Sequence, residues 1–367
     1  MECRTGFLIA LGFFKQQMAR FLKQGFDQYS ERRDGFAPTL AVRRSDRVDQ
    51  IPNGKGEHET MIQRTHNKIF LVIALVLGSM VVIPAYGQLG MFSKQQLIEF
   101  TPDWQGARFA DGRPDVPDTM LERLREVTAE QAWGVLQQAG YHNQFESGWT
   151  VINPQKQRLV GRVVTAVFMP YRPDLDSVIR ANAKKEGETV RGENSWIINR
   201  LQPGDVMVVD LFGKIKDGTI IGGNLATSVF TKTHNGIIVD GSIRDTAEIE
   251  EMKGFQVFCR GTDPSALRNV TLMGINVPIR MGQATVMPGD IAVSDPEGIT
   301  FIPPQLVEKV ADHAEMEHLV DEWGFMMLRE KKYSPGQIDG QWTRQMIEEF
   351  NAYAAKRGSK LRRELPK

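Results

Sequence analysis

An α/β fold, with a β-rich core set between helical flanks, is predicted by three observations. From Val151 onward the chain breaks into short apolar or β-branched runs punctuated by Gly, Pro and Asp, among them "RLVGRVVTAVFM", "DVMVVDLFG", "TIIGG", "NGIIVDG", "FQVFCRG", "INVPI", "GDIAVSD" and "GITFIP". Helical patches at Asp174 to Ala183, Leu225 to Lys232 and Asp245 to Met252 interrupt those runs, which favours crossover connections over a pure sandwich. On either side the apolar spacing lengthens to that of helices, with Leu121, Leu124 and Val127 before the core and Trp342, Met346 and Phe350 after it.

The first segment, residues 1–60, carries Phe7, Leu11, Phe14 and Met18 at helical spacing and then becomes an Arg- and Gly-containing stretch. It reads as an over-extended start or a disordered segment, or else as an amphipathic cytoplasmic helix before a membrane anchor. Residues 61–87 read as a signal peptide. Arg64 and Lys68 precede an apolar run from Ile69 to Ala85, Pro84 breaks the helix, and Ala85-Tyr86-Gly87 offers small residues for cleavage before Gln88. The alternative is an uncleaved anchor near the short limit of about 17 to 25 residues for a span. The expectation is therefore an exported, periplasmic or extracellular protein, free of the membrane once cleaved.

Residues 88–150 form an N-terminal helical segment in which Thr128 and Gln131 resemble a capping box and Gly140 supplies a stop. The core is expected over 151–325. A C-terminal helical extension follows at 326–367, with a first helix from Gln305 to His318 leading into it. There Trp342, Met346 and Phe350 form a stripe suited to packing on the core or on a neighbouring subunit, and Gly358 ends the helix.

Composition narrows the function. Forty-five basic residues balance forty-five acidic ones, so the chain lacks the overall positive field with which nucleic-acid binders gather phosphates. A small-molecule partner fits better. Cys3 and Cys259 are the only cysteines, too few for a Cys-based zinc site or a disulfide framework. His313 and His318 stand five apart on a helix, about 140° around its axis, and cannot form a metal pair.

The chemistry concentrates in "GGNLATSVFTKTHNGIIVDGSIRDTAE", Gly222 to Glu248. Asp240-Gly241 ends an apolar strand, which puts Arg244 and Asp245 in the turn after it and Glu248 one helical turn on, facing the same way as Asp245. Strand ends in α/β sheets are where ligands bind. Asp245, with Glu248 directly or through water, offers hard oxygen ligands to Mg²⁺ or Mn²⁺, and Arg244 offers a bidentate fork to a carboxylate. Gly222 and Gly223 precede a helix starting near Leu225, where backbone N–H groups can meet an anion. The same residues could equally be an Arg–Asp salt bridge beside an ordinary glycine turn.

Gly223, twenty intervening residues, Arg244-Asp245, two more and Glu248 match the G-x20-R-D-x2-E/D signature of the family of regulator of ribonuclease E activity A and 4-hydroxy-4-methyl-2-oxoglutarate aldolase. "VGRVVTA", "PGDVMVVD" and "VMPGDIAVSDPEGITFIP" resemble the family's strand and turn segments, so that the resemblance runs from about Leu121 to Val320. It implies a swivelling β/β/α domain, trimers or hexamers with sites between protomers, and a divalent metal. It also implies that Arg244 binds the substrate carboxylate, that Asp245 anchors the metal, and that Gly222, Gly223, Asn224 and Leu225 hold the substrate. The aldolases have an Asp where this chain has Gly223, and that acid is credited with activating a proton-shuttling water. Asp210, Glu146 and His142 are candidate replacements, each with a structural role as its alternative. Two classes of function follow: a metal-dependent lyase on 2-oxo acids, by aldol cleavage or oxaloacetate-type decarboxylation, or a non-catalytic binding protein like the ribonuclease E regulators. A methyltransferase reading finds no support, since no strand runs into a G-x-G nucleotide turn.

Overall fold

The computed structural model describes residues 92–154, 158–189 and 192–365. The start segment and the signal-like segment 61–87 lie outside the described residues, among which no helix is long and apolar enough to cross a membrane.

Between Ser93 and Gly140 the chain is less helical than its spacing suggests. Three short pieces form, α1 (Lys94–Phe100), α2 (Asp118–Arg123) and α3 (Ala129–Gln138), with an irregular stretch between the first two. The Thr128–Gln131 capping box is present. Gly140 takes a positive φ of 86° just past the C-terminus of α3, a conformation that glycine adopts without steric cost. Arg113 pins the irregular stretch to the core. Its guanidinium is 1% exposed, bonds Asp205 at 3.1 Å and Asp111 at 2.9 Å, and lies over the Phe109 ring.

The strands β1 (Phe145–Glu146), β2 (Thr150–Ile152), β3 (Val160–Pro170), β4 (Asp205–Thr219), β5 (Ile237–Ile243), β6 (Val257–Thr262), β7 (Val270–Ile275), β10 (Ile291–Ser294) and β11 (Ile299–Ile302) form one mixed sheet, with β8 (Ile279–Met281) and β9 (Ala284–Val286) as a separate hairpin. β3, β4, β5 and β6 are parallel neighbours in chain order. The first half of β3 also pairs antiparallel with β10, and its second half with β7. Between the parallel strands run the crossover helices α4 (Pro173–Lys185), α5 (Glu193–Asn199), α6 (Gly223–Thr233) and α7 (Thr246–Glu250). The predicted "TIIGG" strand is the end of β4 and the loop after it, and α5 was not foreseen.

Side-chain alternation divides the sheet into two cores, as period 2 requires. Met207, Val209, Ile237 and Val239 point into a cluster with Ile179 of α4, Trp196 of α5 and Val229 of α6. Val206, Val208 and Ile238 point the other way, against Ile279, Met281 and Val286 of the β8–β9 hairpin.

The helix expected from Gln305 to His318 is longer. α8 (Val307–Arg329) continues unbroken past residue 325, followed by α9 (Pro335–Ile338) and α10 (Arg344–Lys356). The first half of α8 buries Val307, Val310 and Ala314 against α2 and α3, while its second half shares a cluster with Trp342, Met346 and Phe350. The Trp323 and Trp342 rings lie 4.6 Å apart. The C-terminal stripe is thus internal packing.

Candidate active site

Parallel strands β4 and β5 deliver their C-terminal ends to one place. After β4 the chain passes Ile220 and Ile221 and reaches Gly222 at the N-terminus of α6; after β5 it reaches Arg244 and Asp245. The Arg244 backbone N–H donates to Ile221 O at 3.2 Å, which ties the two turns together. Gly222 is required by this closeness. A Cβ there would run into Asp245 Oδ2 and would stand 2.9 Å from Arg244 Nε.

Asp245 adopts the left-handed conformation, φ 58° and ψ 43°, which Asp tolerates better than most residues because its short polar side chain can bond locally. This turns its carboxylate back onto α6, where Oδ2 accepts the Gly223 N–H at 2.9 Å. The anion that meets this helix N-terminus is therefore the chain's own Asp245, and among the first-turn donors those of Asn224 and Leu225 remain. Arg244 Nε lies 3.6 Å from Asp245 Oδ2, with both side chains about two-fifths exposed. An ion pair that open and loose contributes about 0–1 kcal/mol, so it does not explain the arrangement. Arg244 also donates weakly to Ser265 O at 3.3 Å. Glu248 is exposed. A Cβ on Gly223 would lie 3.6 Å from Glu248 Cβ and 3.8 Å from Asp245 Cβ, so Gly223 sits between the two carboxylate-bearing residues.

Arg244, Gly222 and Leu225 line one side of a cleft of about 530 Å³. Tyr171, Glu193 and Arg268 line the same cleft. Sequence reasoning missed Glu193. The residue is 5% exposed, Oε1 accepts from Arg180 at 2.9 Å, and Oε2 accepts the Leu272 N–H at 3.0 Å. Burial pushes its carboxyl up to about 7, against a smaller opposing pull from Arg180. The only signal in sequence is an acidic residue opening the short apolar stretch Trp196-Ile197-Ile198.

Asp210 does not join this group. It stands opposite Asp240 across β4 and β5, and by strand parity it follows Val206 and Val208 onto the face covered by β8 and β9. Burial raises its carboxyl, and its Oδ1 accepts the Phe212 N–H at 3.0 Å. Glu146 is also elsewhere, bound at 2.5 Å to Arg260, which in turn holds Asp240 at 2.7 Å and stacks on Trp149. His142 bonds Gln137 at 2.8 Å. None of the three lines the cleft.

A family profile described as RraA-like, Aldolase/RraA, matches residues 114–301, just over half of the chain. The chain belongs to the RraA-like family. Among relatives of this RraA-like protein, a Halalkalibacterium halodurans protein provisionally named a 4-hydroxy-4-methyl-2-oxoglutarate aldolase is 33% identical over 138 residues, 37% of this chain and 65% of that protein. A Thermus thermophilus protein named 4-hydroxy-4-methyl-2-oxoglutarate aldolase is 28% identical over 100 residues, 27% of this chain and 60% of that one. The chain thus spans somewhat under two thirds of the length of these relatives. Streptomyces coelicolor RraAS2, described as an unusual member of the RNase ES inhibitor RraA protein family, aligns at 26% identity with a TM-score of 0.48, covering 58% of this chain and 98% of that structure.

Proposed function

We propose that this RraA-like protein is a carbon–carbon lyase for a small 2-oxo dicarboxylic acid, favouring oxaloacetate-type decarboxylation over cleavage of 4-hydroxy-4-methyl-2-oxoglutarate. The observation that carries this reading is the placement of Arg244 at the lip of the cleft, beside the free first-turn N–H groups of α6. Arg244 suits one substrate carboxylate. Arg268, exposed and making no ion pair among the described residues, is a second cation lining the same cleft. Decarboxylation needs no base at a hydroxyl, whereas aldol cleavage does, and position 223 carries no side chain.

Asp245 and Glu248 fit a divalent cation of the Mg²⁺ or Mn²⁺ kind. Only one Asp245 oxygen is taken by Gly223 N–H, Glu248 flanks the same point, and Mg²⁺ typically takes one or two carboxylates and keeps several waters. When bound, such an ion polarises the 2-oxo group and offsets the charge of the enolate. Arg244 orients the acid, and the Asn224 and Leu225 N–H groups stand where negative charge can be stabilised. Purified protein is expected to release pyruvate from oxaloacetate with Mg²⁺ and to lose that activity in EDTA. Asp245→Asn keeps an acceptor for Gly223 N–H and tolerates the left-handed backbone, which Ala would not. It should therefore weaken Mn²⁺ binding at least tenfold in calorimetric titration with stability changed by no more than about 0.5 kcal/mol. Equal Mn²⁺ affinities would return Asp245 to a purely capping role.

The reading extends to export and to a homotrimer or hexamer, the first on the pattern of residues 61–87. N-terminal sequencing of the protein recovered outside the cytoplasm should begin at Gln88, and an intact apolar segment in the membrane fraction would refute cleavage. A non-catalytic binding role is the alternative; absence of turnover on every 2-oxo acid together with retained binding would favour it.

A further inference from the structure

Among the described residues, Glu193 is the single carboxylate lining the cleft. Burial and a neighbouring carboxyl group favour its acid form, against the opposing pull of Arg180 and of the Leu272 N–H. From α4, Arg180 reaches it at 2.9 Å while holding Asp176 at 2.8 Å, so that one guanidinium serves two carboxyl groups. Asp176 is itself buried, and its Oδ1 has no hydrogen-bond donor among the described residues. The closeness of this second buried carboxyl group disfavours a charge on Glu193 and so favours its acid form. From β7, the Leu272 N–H holds the other Glu193 oxygen. The remaining charged or titratable groups lining the cleft among the described residues are Tyr171, beside Arg180, Arg244 and Arg268.

We propose that Glu193, as the neutral acid, delivers the proton that converts the enolate to product, with Asp176 and Arg180 as its positioning residues. This rests on the lyase reading above. When the bond between C3 of the 2-oxo acid and its carboxylate breaks, carbon dioxide leaves and the electron pair remains as the enolate of the 2-oxo acid. The Glu193 O–H proton passes to C3, which regenerates the keto acid, and Glu193 is left as a carboxylate to be reprotonated from solvent. A group in the acid form cannot begin aldol cleavage by accepting a hydroxyl proton, so the same residue that completes decarboxylation leaves the aldol route without a base.

The test follows oxaloacetate decarboxylation with Mn²⁺ present, and in parallel the binding of oxalate, which resembles the enolate and needs no turnover. In the wild-type protein kcat should be highest below pH 7 and fall as pH rises through about 7, where Glu193 loses its proton. Oxalate should bind about tenfold more weakly at pH 8 than at pH 6. Glu193→Gln should lower kcat by about 10²-fold or more with KM little changed and oxalate binding no longer sensitive to pH, while Glu193→Asp should recover part of kcat. An unchanged kcat and pH profile in Glu193→Gln overturns the assignment while leaving the lyase reading in place. If the glutamine variant does not fold, a flat wild-type profile in both assays overturns the assignment by itself. A wild-type protein that neither turns over oxaloacetate nor binds oxalate overturns the lyase reading and, with it, the role of Glu193.

Discussion

Gly223→Asp is expected to raise cleavage of 4-hydroxy-4-methyl-2-oxoglutarate by about 10²- to 10⁴-fold, the contribution a positioned general base makes, without loss of fold. The structure removes the main steric objection to this change. Gly223 is not among the positive-φ glycines, and an added Cβ meets nothing closer than 3.6 Å, which is ordinary van der Waals contact. Gly222 differs in this respect, because a side chain there would collide with Asp245 and Arg244. The new carboxylate would stand between Asp245 and Glu248, so three like charges would share one spot and repel unless a cation is bound. The melting temperature should therefore match wild type with Mg²⁺ present and fall in EDTA. Steady-state assays of both proteins on the aldol substrate decide the matter. Efficient cleavage by the wild-type protein would show that a carboxylate at 223 is dispensable here.

Arg113→Met should cost about 3–5 kcal/mol of stability, because it removes the ion-pair partner of Asp205, fully buried at the start of β4, and leaves that carboxylate only the Gln202 N–H and the charge of Arg162. The loss should also free the irregular stretch around residues 108–116, which Arg113 ties to β3 and β4 through Val163 O and Asp205. The double variant Arg113→Met, Asp205→Asn should regain a large part of the loss, since the stranded charge is gone. Urea denaturation of the three proteins measures this coupling. A single-variant cost below 1 kcal/mol would mean that water reaches Asp205 once the guanidinium is removed.

The strands and the Arg244–Asp245 turn were legible because their determinants are local. Alternation in "DVMVVDLFG" and "NGIIVDG" sets β4 and β5, and the spacing from Gly223 to Glu248 brings two consecutive strand ends together. What the sequence hid is non-local. The left-handed Asp245 backbone, which turns that carboxylate onto Gly223 N–H, depends on the two turns meeting. Glu193 opens a seven-residue helix too short for a clear periodicity, and its weakened acidity arises from burial beside residues distant in sequence, Asp176 among them. Asp210 lies away from the cleft for a reason open to inspection, since its parity with Val206 and Val208 already turns it to the opposite face from the helices. In the N-terminal segment the Thr128–Gln131 cap and the Gly140 stop were readable, whereas the irregular stretch before them is held by the buried Arg113 and its non-local partner Asp205.

The continuity of α8 sets a phase relation along the chain. At about 1.5 Å per residue its 23 residues span about 35 Å, and the helix reads two different neighbours at fixed angular positions: Val310 and Ala314 against the N-terminal helices, Trp323 and Met327 against the tryptophan-rich end. Inserting a single residue near Glu315 would rotate the distal aromatic cluster by about 100° relative to the proximal one. Inserting a full heptad would change the angle by only about 20°. The spacing between those two apolar patches is thus a coded dimension of the molecule, tolerant of length changes only in near-integral turns.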